Sequence, residues 1–216
     1  MKYILLFLLL LFSPFLPLYQ SGADFTSAKP ADTAVVVHVI DGDTVILSDG
    51  RHVRYIGINT PEIPKPDQKG EPFSRDAAKY NRELVKGKKV RLEYDRTRED
   101  QYGRTLAWLW LKDGTLVNEQ IIGEGYAHCL YDSKNSRYFD RLLQIQRKAM
   151  SAGKGMWRNL RRGEKEKLVG NTRSLRFHEI HCDLAKQVSR KNRKDFYSRW
   201  DAFWEGYAPS KKCRAD

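Results

Sequence analysis

The chain has little cysteine and little repetition. Cys129, Cys182 and Cys213 are the 3 cysteines in 216 residues. So few cysteines exclude a dense disulfide framework. Because their number is odd, one thiol stays free, pairs with another molecule or binds a metal. Residues 34–157 contain no internal repeat and no low-complexity block, which excludes a repeat architecture for this range.

Long apolar runs are absent except at the start of the chain. Residues 3–19 are almost continuously apolar and are followed by small residues that end with Ala23. This pattern predicts a secretory signal peptide over residues 1–23, cleaved near Ala23. We therefore expect a secreted or periplasmic protein with no lasting membrane span. The alternative is an uncleaved membrane anchor.

Acidic residues are outnumbered, because 39 lysines and arginines face 27 aspartates and glutamates, a formal net charge of +12. Residues 158–216 hold 16 basic and 8 acidic side chains, or +8, and the residues before them carry the remaining +4. A basic surface attracts polyanions. Nucleic acid, anionic lipid and cell-surface polymers are all compatible partners.

Alternation of apolar and polar residues predicts most of the secondary structure. A linker over residues 24–33 precedes the first strand. Five β-like runs separated by turn signals predict strands at residues 34–40, 45–47, 52–58, 90–94 and 106–111. Three runs of helical spacing predict helices at about residues 73–84, 117–122 and 136–152.

Five short strands with a helix after the third match a small Greek-key barrel of the OB type. We therefore predict an α+β protein in which a five-stranded OB-fold β-barrel packs with about three helices over residues 34–157. A basic linker over residues 158–168 and a small basic His/Cys module over residues 169–216 are predicted to follow.

The stretch HVIDGDTVILSDGRHVRYIGINTPE places several acids among strand-forming residues. Gly42 permits a sharp turn, so Asp41 and Asp43 can point towards the same place. Two close carboxylates repel unless a cation lies between them, although the turn by itself also suits a simple hairpin. A hard cation such as Ca²⁺ binds several oxygens, and Asn59 and Thr60 can supply more of them.

Two arginines and a further acid complete a set suited to phosphate chemistry. Arg54 lies in the third predicted strand, Arg104 follows a Tyr-Gly pair, and Glu62 ends the NTPE segment. A cation and two guanidinium groups can neutralise the charge on a phosphorane while a carboxylate accepts a proton from water. The combination therefore predicts cleavage of phosphodiesters. His128 and Cys129 lack an orienting partner and are predicted to be packing residues.

Four stretches together resemble the thermonuclease family, that of staphylococcal nuclease. They are VIDGDTV, RYIGINTPE, DQYGRTLAW and LVNEQIIGEGYA, in the family's order and at similar spacing over about residues 34–157. The resemblance implies an endonuclease that uses Ca²⁺ to hydrolyse DNA and RNA. We also expect single strands to be preferred and the protein to be a monomer. It also implies that the bond to the 5′ oxygen breaks and that 3′-phosphate ends remain.

The resemblance also implies a metal site. Asp43 and the Thr60 carbonyl match calcium ligands, Asp41 matches an acid beside the metal, and Asn59 stands where the best-known member has an aspartate. Since Asn59 removes one negative charge, we expect weaker Ca²⁺ binding than with aspartate.

The remaining functional positions of the family have counterparts here as well. Arg54 and Arg104 match the two phosphate-binding arginines, and Glu62 matches the general base or water-orienting acid. Tyr102 and Tyr131 match tyrosines that line the nucleotide pocket, although surface packing would also account for them. A second tyrosine expected just beyond Tyr131 is replaced by a serine at position 133.

The basic module over residues 169–216, called the tail below, is too short to build a large core and needs a covalent or metal link. His178, His181, Cys182 and Cys213 could hold Zn²⁺, Cys182 and Cys213 could form a disulfide, or the module could pack without either. The tail resembles a small His/Cys module that some thermonuclease-like proteins carry at their C-terminus. That module is itself similar to the metal-binding segment of the Ada repair protein. In that pattern His178, Cys182 and Cys213 match ligand positions, whereas Ser210 stands where a cysteine is expected.

Two other functions fit the same sequence. The first is a non-catalytic OB-fold module of the cell envelope that binds nucleic acid or another polyanion. The second is an envelope protein that docks to a partner through its tail. Arg54, Glu62 and Arg104 favour the enzyme, because a module that only binds phosphate gains little from acids in its site.

Overall fold

The computed structural model describes residues 31–160 and 162–213. The predicted signal peptide, residues 1–23, lies outside the described residues, as does most of the predicted linker over residues 24–33. Among the helices that the structure describes, none has both the length and the apolarity needed to cross a bilayer.

The alternating apolar residues form a closed barrel, as predicted. The strands up to residue 129 are β1 (Thr33–Val39), β2 (Thr44–Leu47), β3 (His52–Tyr55), β4 (Ile58–Asn59), β5 (Lys89–Glu93), β6 (Thr105–Trp110) and β7 (His128–Cys129). The barrel closes in the order β1-β2-β3-β6-β5. Its pairs are antiparallel except for β3 with β6.

Three helices pack around the barrel, which confirms the predicted α+β class. They are α1 (Ser74–Val85), α2 (Val117–Gly123) and α3 (Phe139–Ser151). The first helix lies in the chain between β3 and β5, which are the third and fourth barrel strands in sequence order, as the OB topology requires. The third begins at Phe139 rather than at Ser136, because the Phe139 N–H donates to the Ser136 carbonyl in a turn that precedes the helix.

The third strand is shorter than its predicted range, because Gly57 turns the chain. Gly57 has φ of 76°, a left-handed conformation that favours glycine. A Cβ atom there would lie 2.7 Å from the Trp108 side chain and 2.9 Å from Leu142. The residues after the turn, Ile58–Asn59, leave the barrel and pair with β7 in a separate two-stranded sheet.

The tail forms a second sheet that shares a core with the helices of the barrel. Its strands are β8 (Leu168–Asn171), β9 (Arg176–Glu179), β10 (Arg193–Phe196) and β11 (Ala208–Pro209), in the order β10-β8-β9-β11. Two short helices, α4 (Asp183–Lys186) and α5 (Arg199–Trp204), and two 3₁₀ turns, Arg190–Asn192 and Lys211–Cys213, complete it.

A second hydrophobic cluster crosses the predicted boundary between domain and tail. Met150 of α3 and Trp157 pack with Phe177 and Phe203 of the tail. From Ala31 onwards the described residues belong to one compact unit. The predicted division into a barrel domain, a linker and a module stays a prediction.

One buried side chain hydrogen-bonds to both parts. Gln146 of α3 has 0% of its surface exposed. Its Oε1 accepts from the Cys129 N–H and its Nε2 donates to the Phe203 carbonyl, both at 2.6 Å. If Gln146 were apolar, the Cys129 N–H would be buried without this acceptor, and the Phe203 carbonyl would keep only the Gly206 N–H, which donates to it at 2.9 Å. The amide therefore connects β7 of the barrel region with α5 of the tail.

We expect Gln146→Leu to lower the free energy of unfolding by about 1–3 kcal/mol, because the buried Cys129 N–H loses its acceptor and the Phe203 carbonyl loses one of its two donors. Urea denaturation would measure the loss. Gln144→Leu is the matched control, since Gln144 is exposed on the same helix and should change stability by less than about 0.5 kcal/mol. Equal effects of the two substitutions would contradict the bridging role of Gln146.

Candidate functional site

The turn between β1 and β2 brings the acids of the site against the NTPE segment. At Gly42 an added Cβ would lie 2.6 Å from Thr60 Cγ2 and 2.8 Å from the Ala77 side chain. Only glycine allows so close an approach. The turn is also closed locally, because the Asp43 N–H donates to Asp41 Oδ1 at 2.9 Å.

Asp43 lies at the centre of the hydrogen-bond network and is 4% exposed. Its Oδ2 accepts from the Thr60 N–H at 2.7 Å and from Thr60 Oγ1 at 3.0 Å. Its Oδ1 accepts from the Thr44 hydroxyl at 3.1 Å. The carboxylate thus fixes the position of Thr60 relative to the first hairpin.

Arg54 is buried and is held in place by acceptors on three sides. Its Nη1 donates to the Tyr55 carbonyl at 2.5 Å and its Nη2 to the Ile58 carbonyl at 2.8 Å. The same Nη2 lies 3.1 Å from Asp43 Oδ2. A buried guanidinium with a carboxylate and two carbonyls around it is compensated for its desolvation. Its positive charge is therefore fixed beside Asp43.

Asn59 contacts the arginine and the threonine at the same time. Its Oδ1 accepts from Arg54 Nη2 and its Nδ2 donates to the Thr60 carbonyl, both at 3.1 Å. The structure therefore brings Asp43, Asn59 and Thr60 together as the sequence predicted. In this arrangement the amide oxygen of Asn59 faces the arginine, and its role as a metal ligand stays a prediction.

Asp41 lies beside this group and is affected by its charge. Burial and the neighbouring Asp43 carboxylate together raise the pKa of Asp41 to about 6. Two carboxylates this close repel each other when both are ionised. The pair would be stabilised by a cation that both could bind.

Glu62 lies two residues beyond Thr60 and contacts the tail. Lys211 Nζ is 2.7 Å from Glu62 Oε1, and Lys65 Nζ is 4.0 Å from Oε2. Although burial alone would raise the pKa of Glu62, the two lysines hold it below the usual range for glutamate. The predicted catalytic carboxylate is therefore paired with a side chain 149 positions away in the sequence.

Arg104 is placed next to β3 but has a partner of its own. It directly precedes β6, whose Thr105 pairs with Val53 beside Arg54. Its Nε and Nη2 contact Asp100 Oδ2 at 2.8 and 2.7 Å. Among the described residues, Arg104 has no contact with Asp43 or Glu62. Its role in binding phosphate therefore stays a prediction.

The two predicted tyrosines lie in different surroundings. Tyr102 is 74% exposed, and the Arg104 guanidinium lies over its ring at 5.5 Å. Tyr131 is half-buried, packs edge-on against Phe139 at 5.1 Å, and borders a polar cleft shared with the tail. Both remain accessible to a ligand.

The predicted ligands of the tail are only partly brought together. Cys182 and Cys213 form a disulfide, and His178 Nδ1 lies 3.0 Å from Cys213 Sγ. His181 is exposed and lies outside this cluster. The disulfide is one of the predicted alternatives. Zn²⁺ would require both sulfurs as thiolates, which the disulfide does not provide.

The sequence patterns did not identify Lys211 as a contacting residue of the site. Lys211 had no signal beyond its charge, because its partner Glu62 is distant in sequence. His128, predicted to be a packing residue, is 6% exposed, donates from Nδ1 to the Cys129 carbonyl at 3.0 Å and packs on Phe203 at 5.4 Å. Burial lowers the pKa of His128 to about 4.

Comparison with known proteins relates the chain to one nuclease family. A family model described as "Staphylococcal nuclease homologue" matches residues 52–159. The chain is 39% identical over 130 residues to "Thermonuclease" of Staphylococcus hyicus, which covers 59% of this chain and 76% of that protein. It is 37% identical over 129 residues to "Thermonuclease" of Staphylococcus intermedius, with 58% and 76% covered.

Another relative belongs to a different genus. "Endonuclease YncB" of Bacillus subtilis is 38% identical over 123 residues, or 55% of this chain and 58% of that protein. The residues after position 159, which include the whole tail sheet, lie outside the range matched by the family model.

We expect His128 to make stability depend on pH. Below its ordinary pKa of 6.5 the unfolded chain binds a proton that the folded chain binds only near pH 4. The His128 contribution to folding stability therefore falls as the pH drops from 6.5 towards 4, by about 2 kcal/mol between pH 7.5 and pH 5. Asp41, whose pKa is raised to about 6, contributes in the opposite direction. Urea unfolding across this range would measure the slope.

In His128→Gln the change in stability between pH 7.5 and pH 5 should differ from that of the wild type by about the same 2 kcal/mol, since the titrating group is removed. The matched control is His52→Gln, because His52 is exposed. If His128→Gln and His52→Gln left identical slopes, His128 would not be the group that destabilises the fold in acid.

Proposed function

The chain belongs to the family of staphylococcal nuclease homologues, and on that basis we propose that it is a Ca²⁺-dependent nuclease. It hydrolyses phosphodiester bonds of DNA and RNA, prefers single strands and leaves 3′-phosphate ends. The main support is one network in which Asp43 binds both Thr60 and the buried Arg54. Glu62 follows two residues later on the same segment.

The donor atoms around Asp43 fit a hard divalent cation. Asp41 and Asp43 supply carboxylates whose mutual repulsion a cation would relieve, and the Thr60 carbonyl and Asn59 amide supply neutral oxygens. These residues would hold Ca²⁺ in the proposed enzyme. When bound there, the ion supplies positive charge that stabilises a negatively charged phosphate oxygen.

The protein's own side chains have distinct proposed roles. Arg54 is fixed by backbone carbonyls, so it can stabilise charge on a phosphate without reorganising. Glu62 orients or deprotonates the attacking water. Arg104 binds the phosphate from the start of β6, and Tyr102 and Tyr131 contact the nucleotide. Arg104 would exchange its contact with Asp100 for the substrate.

The proposal extends to location and to the tail. The apolar start of the chain supports export, and an oxidising compartment supports the Cys182–Cys213 disulfide. In a reducing environment the same two thiolates and His178 could instead hold Zn²⁺, since the three ligand atoms lie within 4.8 Å of one another. The protein is proposed to act as a monomer.

We expect Glu62→Gln to lower kcat on single-stranded DNA by roughly 10²–10⁴-fold, because a general base is lost while the fold is kept. A Ca²⁺ chelator should abolish cleavage by the wild type. Glu83→Gln, on the exposed face of α1, is the matched control and should keep full activity. Release of acid-soluble nucleotides would report the rate.

Unchanged cleavage by Glu62→Gln would refute the assigned role of this residue. Binding of single-stranded DNA without any cleavage at high Ca²⁺ would favour the non-catalytic polyanion-binding module instead.

Removal of Lys211 should raise activity modestly. The Lys211–Glu62 ion pair is partly exposed, with side-chain exposures of 61% and 26%, and such pairs are worth about 0.2–1 kcal/mol. Freeing Glu62 by Lys211→Met should therefore raise kcat by no more than about fivefold. The neighbouring Lys212, also exposed, provides the control Lys212→Met. A fall in kcat for Lys211→Met alone would instead mean that the lysine helps to bind the phosphate.

A further inference from the structure

A polar cleft of about 650 Å³ lies between the loop after β7 and the β8–β9 hairpin of the tail. Tyr131 and Ser133 line one side, and the tail lines the other. The tail residues used below are Asn171, Arg173, Arg176 and Asn192. One of the predicted nucleotide-binding tyrosines thus shares a cleft with two arginines from outside the matched family range.

Arg176 reaches the cleft with neutral partners only. Its Nη2 donates to the Tyr131 carbonyl at 3.1 Å, and its Nη1 donates to the Ser174 carbonyl at 3.2 Å. Within the described part of the chain, no carboxylate forms an ion pair with it. Asp132 also lines the cleft, but its Oδ1 accepts from the Lys134 N–H at 2.9 Å. Burial lowers the pKa of Arg176, and the Asp132 carboxylate opposes this lowering without forming an ion pair. A half-buried guanidinium with no carboxylate in direct contact is a favourable place for an anion.

The hairpin that carries the two arginines is held in one conformation. Leu175 has φ of 48°, which is uncommon for a residue other than glycine. Its N–H donates to the Asn171 carbonyl at 2.9 Å, and its side chain packs against both hydrophobic clusters. The Arg173 N–H donates to Asn171 Oδ1 at 3.0 Å. Packing and hydrogen bonds therefore fix the backbone at both arginines.

We propose that Arg173 and Arg176 form a phosphate-binding subsite for the nucleic-acid strand that passes Tyr131. Guanidinium groups bind phosphate oxygens through paired N–H donors, and the amides of Asn171 and Asn192 add neutral donors. The inference rests on the proposed function, and it assigns to the tail the task of holding a phosphate away from the scissile bond. The subsite therefore acts on long strands more than on short ones.

Binding of a fluorescent single-stranded dodecamer, followed by anisotropy in the presence of a Ca²⁺ chelator, tests the subsite without cleavage. We expect Arg173→Met and Arg176→Met each to raise Kd roughly tenfold and to reduce the salt slope of log K by about 0.7. Arg162→Met removes the same charge from an exposed position outside the cleft and should change Kd by less than about twofold.

Cleavage kinetics provide a second readout. With Ca²⁺, kcat/KM on the dodecamer should fall in the Arg173 and Arg176 variants, whereas kcat/KM on a dinucleotide should stay at the wild-type value. Thermal melting checks folding. If Arg176→Met is destabilised, Arg173→Met decides, because Arg173 is exposed and its described hydrogen bond comes from its backbone.

Three results would overturn the subsite. They are equal effects of Arg173→Met and Arg162→Met, equal losses on dinucleotide and dodecamer, and weakened heparin binding with unchanged oligonucleotide binding. Failure of the proposed function gives a different result. If the wild type binds the dodecamer through Arg173 but never cleaves it, the subsite is supported and the nuclease function is refuted. If the protein cleaves the dodecamer equally well with and without the two arginines, the nuclease function is supported and the subsite is refuted.

Discussion

The site depends on the hydrogen bonds between the Asp43 carboxylate and Thr60. They hold the turn after β1 against the segment that leaves the barrel after β3. Without this contact the two acids of the turn would lie on an ordinary hairpin, and Arg54 would lose the carboxylate beside its Nη2. The geometry of the site is therefore set by the same contact that joins its two parts of the chain.

The tail contributes to the site instead of standing apart from it. Gln146 connects β7 with α5, Met150 and Trp157 share a core with the tail, and Lys211 reaches Glu62. These contacts give the tail a position relative to the predicted catalytic carboxylate. Basic residues of the tail thus lie in two places near the site: Lys211 pairs with Glu62, and two arginines line the cleft beside Tyr131.

Much of the fold could be predicted, because its patterns are local. The strand and helix order followed from alternation and helical spacing, and the Asp-Gly turns marked the hairpins. The end of β3 could not be placed, since Gly57 turns there to fit Trp108, which lies about fifty positions later. Of the site, the grouping of Asp43, Asn59 and Thr60 was predictable from its motif. The ion pair between Arg104 and Asp100 was not predictable, because the sequence does not show which residue a charged side chain contacts.

The sequence by itself determined the barrel, the family resemblance and the residues able to hold a cation and a phosphate. Each follows from residue types at short spacing, where backbone geometry leaves few arrangements. Only the tertiary structure decided that Lys211 pairs with Glu62 and that Arg176 meets the Tyr131 carbonyl. Such contacts join residues far apart in sequence, so they depend on how two sheets pack against one helix, and no local pattern records that packing.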